Sequence, residues 1–358
     1  MAESLDQSWH DLLFAKAWKS EELAIVEEGM EFTYADLDDA ATLLEEQLKV
    51  LPAGARVLLK SKQRVRHMAG QLACWRSQLI PISDDGAIPA DAVQEVQPSA
   101  RAELKSTGCN VEIVEQHNTF NRFDQEKIVA VNFSSGTTGL RKAIAVSSTN
   151  LLTLMYSKSF AELPSGTSVA NFARPNYDGW WFDVWRSIAQ KKPVIVLPSM
   201  DEDIFEWAEL VDFYRISQAL LPAAVCRALL EVAPEAIQNI DVIYSGGEPM
   251  RTSTYELMKQ NAPRARLFNI YGPTEATFAT HMIEMTEALA ERCQKEQRPV
   301  PIGYPIAEME HDLVPSGGGR AQLVVRGPGV CHSYIRSGEL TSSFEDSQGE
   351  RCYATGDL

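Results

Sequence analysis

The sequence has few positive charges and few cysteines for its length, and each shortage excludes a class of protein. Lys and Arg number 33 against 49 Asp and Glu, so the formal net charge of the 358 residues is −16. Such acidity argues against a protein whose main task is to bind nucleic acid phosphates. The six cysteines are scattered without a CxxC pair, which predicts reduced thiols rather than a disulfide framework or a zinc site.

Long apolar runs are also missing. No segment approaches the roughly 18 apolar residues that a transmembrane helix needs. The first residues, MAESLDQSW, have neither the basic stretch nor the apolar stretch of a secretory signal, so we expect a cytoplasmic protein with no membrane partner. Hydrophobic residues nevertheless make up 45% of the chain, which suffices for a sizeable core and excludes global disorder.

What the sequence does contain is an alternation of strand-like and helix-like segments. Apolar runs such as 55–60, 128–133 and 193–197 predict buried strands, and stretches such as Gln63–Arg76 and 252–260 predict helices. Strands that alternate with helices in this way are typical of βαβ units with a largely parallel sheet. The sequence therefore predicts an α/β fold.

The same alternation predicts how the chain divides. We expect two packed βαβ-type subdomains, residues 1–165 and 166–295, with an N-terminal part that can interleave with the second. After residue 295 the pattern changes to glycine-rich turns and short strands. This change predicts a small β-rich, barrel-like unit over residues 296–358.

The segment VNFSSGTTGLRKAIA, residues 131–145, is a candidate phosphate loop. Its glycines allow a close backbone turn, its hydroxyls and N–H groups can bind phosphate oxygens, and Lys142 adds a positive charge. A surface hairpin rich in turn residues is the alternative. A Walker A loop is excluded because Arg141 stands where that motif needs Gly, and the chain has neither a GxGxxG nor a GxSxG motif.

SSGTTGLRK resembles the TSGTTGxPK signature of the adenylate-forming enzymes, the superfamily of acyl-CoA synthetases, luciferases and nonribosomal peptide synthetase adenylation domains. Further resemblances follow in family order: FTYADL at 32–37, NIYGPTE at 269–275, GYPIA at 303–307, GPGVCHSY at 327–334 and YATGDL at 353–358. The chain is thereby identified as the N-terminal core of an adenylation domain. Arg141 and Ala143 replace the family's usual Pro and Gly, so we expect altered kinetics of this loop.

The resemblance implies ATP-dependent activation of a carboxylic acid as its acyl-adenylate, with Mg²⁺ and with release of pyrophosphate. In the parent chain of a nonribosomal peptide synthetase or synthetase-like reductase, the acyl group would pass to the thiol of a downstream carrier protein. The family's C-terminal subdomain, with its catalytic lysine, is absent from this chain, so we expect binding with weak turnover. The alternatives are an acyl-CoA ligase of the same superfamily and a catalytically silent binding module.

The resemblance also implies which residues are catalytic. Thr274 is expected to contact the α-phosphate, Glu275 to help hold Mg²⁺, and Lys142 to contribute its charge from the loop. A carboxylate oxygen suits the hard Mg²⁺ ion.

A second implied set binds the nucleotide. Tyr271 is expected to pack against adenine, Asn269 to bind the exocyclic amine, and Asp357 to accept hydrogen bonds from both ribose hydroxyls. The complete expected set is Ser134, Ser135, Gly136, Thr137, Thr138, Gly139, Gly246, Gly247, Asn269, Tyr271, Gly272 and Asp357.

The segment NYDGWWFDVW, residues 176–185, resembles the (S/T)FDxSVWE segment of amino-acid-activating domains. This alignment places Asp178 on the Asp that pairs with the substrate α-ammonium group, and Asp183 is the rival in a competing register. The implied side-chain pocket is apolar except for Ser245, so a neutral side chain, or none, is expected. The pocket residues are Gly179, Phe182, Leu220, Ile243, Ser245, Ile270, Phe278 and Ala279.

Trp180 and Trp181 are unusual in this segment. We interpret them as residues that pack on a helix face, and the alternative is that a tryptophan reaches the substrate. Aromatic faces around an anion such as Asp178 are how proteins hold quaternary ammonium groups. The expected substrate is therefore an amino acid or a betaine-like acid.

Overall fold

The alternating strands and helices form a large, mostly parallel sheet. A computed structural model describes residues 2–105, 108–114, 128–134, 141–199, 204, 206–341 and 343–358. Across the large sheet, all strands from Leu23–Glu27 to Arg266–Tyr271 pair in parallel with their neighbours. Antiparallel strands lie at both edges of this parallel part. Within the described residues the strand order is Tyr304–Pro305, His281–Glu284, Arg266–Tyr271, Val242–Gly246, Ile216–Pro222, Ser168–Asn171, Val194–Val196, Leu23–Glu27 and Met30–Thr33.

Three smaller sheets accompany the large one in the described part of the chain. The first has the order Ile80–Asp84, Arg56–Lys60, Ala100–Lys105 and Gly108–Ile113. The second has the order Glu339–Leu340, Ser333–Arg336, Ala143–Ser147 and Ile128–Phe133. The third consists of Glu310–Gly317, Arg320–Arg326 and Cys352–Ala354. The predicted α/β fold is confirmed.

Strand pairing joins segments from the three ranges into which the sequence is predicted to divide. The N-terminal strands Leu23–Glu27 and Met30–Thr33 extend the large sheet beside Val194–Val196. Strand Ser333–Arg336 pairs with Ala143–Ser147, so residues 296–358 contribute to more than one sheet. Segments distant in sequence are thereby fixed against one another.

Helices cover both faces of the large sheet. The α-helices in the described residues are Ala2–Leu13, Tyr34–Leu48, Arg64–Arg76, Ala90–Val96, Ser148–Tyr156, Ser187–Ala189, Glu206–Phe213, Ala223–Val232, Thr252–Asn261 and Glu287–Lys295. Trp181–Arg186 is a π-helix, and Lys16–Lys19, Pro234–Ala236 and Thr274–Ala276 are 3₁₀ turns. In these residues no helix combines the length and apolar character needed to cross a membrane.

Helix Tyr34–Leu48 illustrates why the sequence forms these elements. Thr33 caps it by accepting a hydrogen bond from the N–H of Asp36 at 3.1 Å, and the Asp36 carboxylate accepts one in return from the N–H of Thr33 at 2.8 Å. Leu37, Ala41 and Leu44 follow at helical spacing, and all three are buried. The helix therefore begins at a capping box and packs its apolar face on the core.

Buried tryptophans join the large sheet to the N-terminal part of the chain. The indole N–H groups of Trp180 and Trp185 both donate to the side-chain oxygen of Gln71, at 3.0 and 2.6 Å. Trp181 donates to the side-chain oxygen of Asn132 at 3.0 Å. The exposed fraction of these three tryptophans does not exceed 2%. Trp180 and Trp181 thus pack in the core, as interpreted from the sequence.

Gln71 satisfies two buried donors, so its replacement should destabilise the fold. We expect Gln71→Leu to lower the free energy of unfolding by about 2–4 kcal/mol, because a buried N–H without an acceptor costs ~1–3 kcal/mol. Urea denaturation followed by tryptophan fluorescence measures the change. Gln260→Leu, on the exposed face of helix Thr252–Asn261, is the matched control and should change stability by less than ~0.5 kcal/mol. Equal stabilities of both variants would refute the shared-acceptor role.

Candidate active site

The carboxyl ends of the parallel strands open into a cavity of ≈ 1720 Å³, here called the central cleft. Glu27, Pro222, Gly246 and Tyr271, each at the end of a strand of the large sheet, line it. Ligands of open α/β sheets bind at this edge. The predicted residues that line the central cleft are Ser134, Lys142, Asp178, Gly179, Leu220, Gly246, Gly247, Ile270, Tyr271, Gly272, Thr274, Glu275, Phe278 and Asp357.

The strand order reverses at Ser168–Asn171. From this strand the chain passes to its neighbour Val194–Val196 on one side, and then to Ile216–Pro222 on the other side. Because the two connections diverge, a crevice opens at the carboxyl end of Ser168–Asn171. Asp178 follows this strand and lies in the crevice.

Asp178 is half-buried, and its carboxylate accepts hydrogen bonds from the Thr274 hydroxyl and the Gly179 N–H. Burial raises the pKa of Asp178, the hydrogen bonds lower it, and the nearby charge of Glu275 raises it again. A cation bound in the central cleft would favour the ionised form. The position therefore suits recognition of a positively charged group.

Asp183, the rival in the sequence alignment, has a different environment. It is fully buried, and its Oδ2 atom accepts hydrogen bonds of 3.1 Å from the side chain of Asn171 and from the N–H groups of Phe172 and Ala173. Burial raises the pKa of Asp183 to about 7, against the lowering effect of these donors. Asp183 thus holds the π-helix against the end of strand Ser168–Asn171 and is not among the cleft-lining residues.

The turn after strand Arg266–Tyr271 is tight. A Cβ atom at Gly272 would lie 2.4 Å from the carbonyl oxygen of Phe278, so only glycine fits. Phe278 has φ of 99°, and Thr277 has φ of 58°, both unusual for residues with side chains. Such conformations cost ~1–3 kcal/mol each and are concentrated at functional sites. Here the turn brings Thr274, Glu275 and Phe278 to the central cleft.

Gly246 makes a second close approach. A Cβ atom there would lie 2.3 Å from the carbonyl oxygen of Ile270 on the neighbouring strand. The absence of a side chain keeps the carboxyl ends of both strands open to the central cleft. This is the kind of wall that the sequence predicts for Gly246 and Gly247, where a nucleotide could approach the backbone.

A tyrosine connects the expected metal ligand with the expected loop lysine. The Tyr334 hydroxyl donates to Oε1 of Glu275 at 2.7 Å, and Nζ of Lys142 lies 4.9 Å from the centroid of the Tyr334 ring. The hydroxyl of Tyr353 lies 3.2 Å from that of Tyr334. Both tyrosines lie within motifs that resemble those of the family, GPGVCHSY and YATGDL, but the sequence does not predict a role for either. Ser134 lies at the start of the loop, and Ser135, Gly136, Thr137, Thr138 and Gly139 fall outside the described residues.

At the other end of the central cleft the Tyr271 hydroxyl donates a hydrogen bond to the carboxylate of Asp357. Burial raises the pKa of Tyr271, and the bond to Asp357 raises it further. The two residues expected to bind adenine and ribose are therefore adjacent. Asn269 is buried beside them and donates its amide N–H to the carbonyl oxygen of Pro301 at 2.9 Å, which leaves its own oxygen for another donor.

The predicted side-chain pocket is assembled only in part. Gly179, Leu220, Ile270 and Phe278 line the central cleft, and the buried Phe182 packs behind Phe278 with ring centroids 5.3 Å apart. Ala279 is buried next to Phe278.

The structure does not bring Ile243 and Ser245 to the central cleft. Side chains alternate along strand Val242–Gly246, and Ile243 packs in the apolar cluster on the opposite face of the sheet. Tyr244 faces Phe182 instead, with ring centroids 5.2 Å apart. The prediction that Ile243 and Ser245 line the side-chain pocket is therefore wrong. A shift of one residue in a strand moves every side chain to the other face of the sheet.

A family model described as AMP-binding enzyme matches residues 85–335, more than half of the chain.

Curated relatives align over most of the sequence. Malpibaldin synthetase of Mortierella alpina is 26% identical over 377 residues, which cover 94% of this chain and 7% of the synthetase. A D-alanine–D-alanyl carrier protein ligase of Streptococcus agalactiae serotype V is 29% identical over 246 residues, 63% of this chain and 46% of the ligase. The chain thus spans less than half the length of either relative.

Solved structures share the fold. PA1221, described as an NRPS protein containing adenylation and PCP domains, superimposes with a TM-score of 0.76 at 20% identity and covers 99% of this chain and 79% of its own. The N-terminal subdomain of Klebsiella oxytoca NpsA in complex with 3-hydroxyanthranilyl-AMSN gives a TM-score of 0.75 at 16% identity and covers 99% of this chain and 94% of its own.

The raised pKa of Asp183 predicts a pH dependence of stability. The pKa is about 7 in the folded protein and about 4 in the unfolded chain, so the folded state binds more protons between these values. The contribution of Asp183 to stability therefore falls as pH rises through this window, by up to ~1.4 kcal/mol per pH unit. Asp183→Asn removes the titration, and its stability relative to the wild type should increase from about pH 4 to about pH 7.

Urea denaturation over this pH range measures the difference. The exposed Asp241→Asn is the control, and its curve should run parallel to that of the wild type. A wild-type-like slope for Asp183→Asn would show that Asp183 is ionised throughout.

Proposed function

Because the chain belongs to the AMP-binding enzyme family, we propose that it activates a carboxylic acid as its acyl-adenylate. An oxygen of the carboxylate attacks the α-phosphorus of ATP and forms the acyl–phosphate bond. The bond from the α-phosphorus to the bridging oxygen breaks, and pyrophosphate leaves. This chemistry requires positioning and charge stabilisation more than covalent participation by the protein.

The observation that carries the proposal is the convergence of separate segments on one cleft. Asp178, Thr274 and Glu275 line it together with Gly246 and Asp357, although nearly 180 residues separate the first from the last. A fold that needed these residues only for packing would have no reason to expose all of them to the same cavity.

We place the nucleoside at the end formed by Tyr271 and Asp357. The Tyr271 ring offers an aromatic surface for adenine, and the Asp357 carboxylate offers acceptors for the ribose hydroxyls. Their mutual hydrogen bond supports this placement, because it keeps both groups at the same edge of the central cleft.

The phosphates then lie near Thr274, Glu275 and Lys142. Mg²⁺ keeps several waters and binds through one or two carboxylates plus substrate phosphates. Glu275 would supply the carboxylate. When bound, Mg²⁺ would neutralise charge on the phosphates, while Thr274 contacts the α-phosphate and Lys142 adds a positive charge.

The acid lies at the Asp178 end, where its positive nitrogen pairs with the carboxylate. Both an α-amino acid and a betaine-like acid meet this requirement. The buried position of Asp183, already saturated with backbone donors on one oxygen, supports Asp178 as the recognition residue.

The acyl group would pass to the thiol of a carrier protein. Support for this partner comes from the relatives, which include a carrier protein ligase, and from PA1221, which contains adenylation and PCP domains.

Asp178→Asn tests the acid end because it keeps the shape and removes the charge. We expect at least ~10-fold weaker binding of the preferred acid, because a hydrogen bond to a charged group contributes ~1.5–3 kcal/mol. Thermal shifts with a panel of α-amino acids, betaines, fatty acids and aryl acids, with ATP present, identify that acid, and calorimetry measures its affinity.

Asp183→Asn is the matched control and should bind the same acid like the wild type. If only Asp183→Asn loses affinity, Asp183 is the recognition residue. Preferential binding of a plain fatty or aryl acid would favour an acyl-CoA ligase.

Asp357→Ala tests the nucleotide end. Loss of a charged acceptor for the ribose should weaken ATP binding about 10- to 100-fold. Asp241→Ala, at the opposite end of strand Val242–Gly246 from the central cleft, should leave ATP affinity unchanged. An unaltered affinity in Asp357→Ala would contradict the ribose contact.

A further inference from the structure

Tyr334 contacts two residues at the proposed phosphate end of the central cleft, although the proposed reaction assigns it no role. Its hydroxyl donates a hydrogen bond to Oε1 of Glu275 at 2.7 Å, and the centroid of its ring lies 4.9 Å from Nζ of Lys142. Glu275 and Lys142 line the central cleft, whereas Tyr334 is half-buried and is not among the cleft-lining residues. One side chain thus joins the expected metal ligand to the expected loop lysine.

The backbone around Tyr334 is bonded to the elements that carry both partners. The N–H of Cys331 donates to the carbonyl oxygen of Glu275 at 2.8 Å, which holds the turn that carries this glutamate. The strand of Tyr334 pairs with Ala143–Ser147, which begins directly after Lys142. Main-chain hydrogen bonds, and not the side-chain contacts alone, therefore keep Tyr334 between these two residues.

Neighbouring side chains fix the ring of Tyr334 and the proton of its hydroxyl. The ring packs edge-on against that of Phe344, with centroids 4.9 Å apart. Burial raises the pKa of Tyr334, and hydrogen bonds to Tyr353 and Glu275 raise it further. The hydroxyl therefore keeps its proton at neutral pH and remains a donor to the carboxylate.

A donor that holds a carboxylate matters when that carboxylate binds a cation. Each carboxylate oxygen has more than one lone pair, so Glu275 can accept the bond from Tyr334 and still offer oxygen to Mg²⁺. Hydrogen bonds to metal ligands fix their orientation, and loss of such a bond typically costs roughly 10- to 100-fold in metal affinity. The ring has a separate effect, because an aromatic face attracts a cation and so restrains the exposed side chain of Lys142.

We propose that Tyr334 is a positioning residue for the metal and the phosphates, and that it acts through its hydroxyl on Glu275 and through its ring on Lys142. This inference rests on the proposed function and deepens it. The hydroxyl holds the carboxylate in place for a magnesium ion, and the ring holds the lysine at the central cleft before the nucleotide binds. Because two parts of one side chain act on two partners, separate substitutions can remove one effect or both.

Tyr334→Phe removes the hydroxyl and keeps the ring. Calorimetry measures the dissociation constant of ATP in EDTA and with saturating Mg²⁺, and the ratio of the two is the gain in affinity that magnesium provides. We expect this gain to be about 10-fold smaller in Tyr334→Phe than in the wild type. Glu275→Gln gives the gain that remains without the carboxylate charge. Tyr304→Phe, at a tyrosine that is 75% exposed, is the matched control and should keep the wild-type gain.

The affinity for AMP in EDTA distinguishes positioning from a general structural effect. AMP needs the nucleoside end of the central cleft but has neither the β- and γ-phosphates nor their magnesium ion. Tyr334→Phe should therefore bind AMP like the wild type. If it binds AMP more weakly by the same factor as it binds ATP with Mg²⁺, its effect is structural and the positioning role is refuted.

Tyr334→Leu removes both the hydroxyl and the ring. It should lose the same magnesium-dependent gain and, in addition, bind ATP about 2- to 5-fold more weakly in EDTA, which is the effect expected when an exposed cation loses an aromatic face. Lys142→Gln should also weaken ATP binding in EDTA. Addition of Tyr334→Leu to Lys142→Gln should cause no further loss there, because no cation remains for the ring to hold. Tyr334→Met replaces Tyr334→Leu if thermal melting shows that the leucine variant is not folded.

The outcomes separate this inference from the proposed function. If Glu275→Gln loses the magnesium-dependent gain but Tyr334→Phe keeps it in full, the role of the hydroxyl is refuted and the proposed function stands. Equal or tighter binding of ATP in EDTA by folded Tyr334→Leu would overturn the role of the ring. If Glu275→Gln keeps the full gain, or if the wild type binds no ATP, the proposed function loses its metal ligand or its nucleotide, and this inference fails with it.

Discussion

The burial of residues 180–186 is the constraint on which the candidate active site depends. Every side chain of this segment is at most 2% exposed, and most of the segment is a π-helix, a rare form found often at functional sites. Its indole N–H groups need acceptors in the core, and Gln71 and Asn132 provide them from a helix and a strand far away in sequence. Glu27, the last residue of strand Leu23–Glu27, connects the large sheet to the helix that carries Gln71. Its carboxylate accepts hydrogen bonds from the first two N–H groups of helix Arg64–Arg76, at 2.7 and 3.0 Å. Asp178, two residues before the buried segment, is thus positioned by contacts that span the N-terminal half of the chain.

Much of this arrangement could be predicted from sequence. The helix at 63–76 and the strand at 128–133 were expected within one residue of where they lie, since apolar periodicity reports directly on the buried face of an element. The ordered motifs placed Asp178, Thr274, Glu275 and Asp357 at one site, which the geometry of the central cleft supports. What periodicity could not provide is the pairing of Leu23–Glu27 with Val194–Val196, because nothing in a single strand encodes the identity of its partner.

The site residues that sequence reasoning placed incorrectly have a common cause. An alignment without gaps carries an error of one position unchanged along a strand, and in a strand one position separates the two faces of the sheet. Ile243 and Ser245 were therefore assigned to the pocket, whereas Tyr244 faces Phe182. The connection from Glu275 through Tyr334 to Lys142 was missed for another reason, since it joins three motifs that are contiguous only after folding.

The buried charges of the π-helix then raise the question of why the sequence retains them. Asp183 and Arg186 are three residues apart, yet Asp183 binds backbone N–H groups and Arg186 lies between phenylalanine rings. Replacement of buried charges by apolar side chains of similar volume is often neutral or stabilising, so core packing alone does not explain an arginine with unpaired nitrogens.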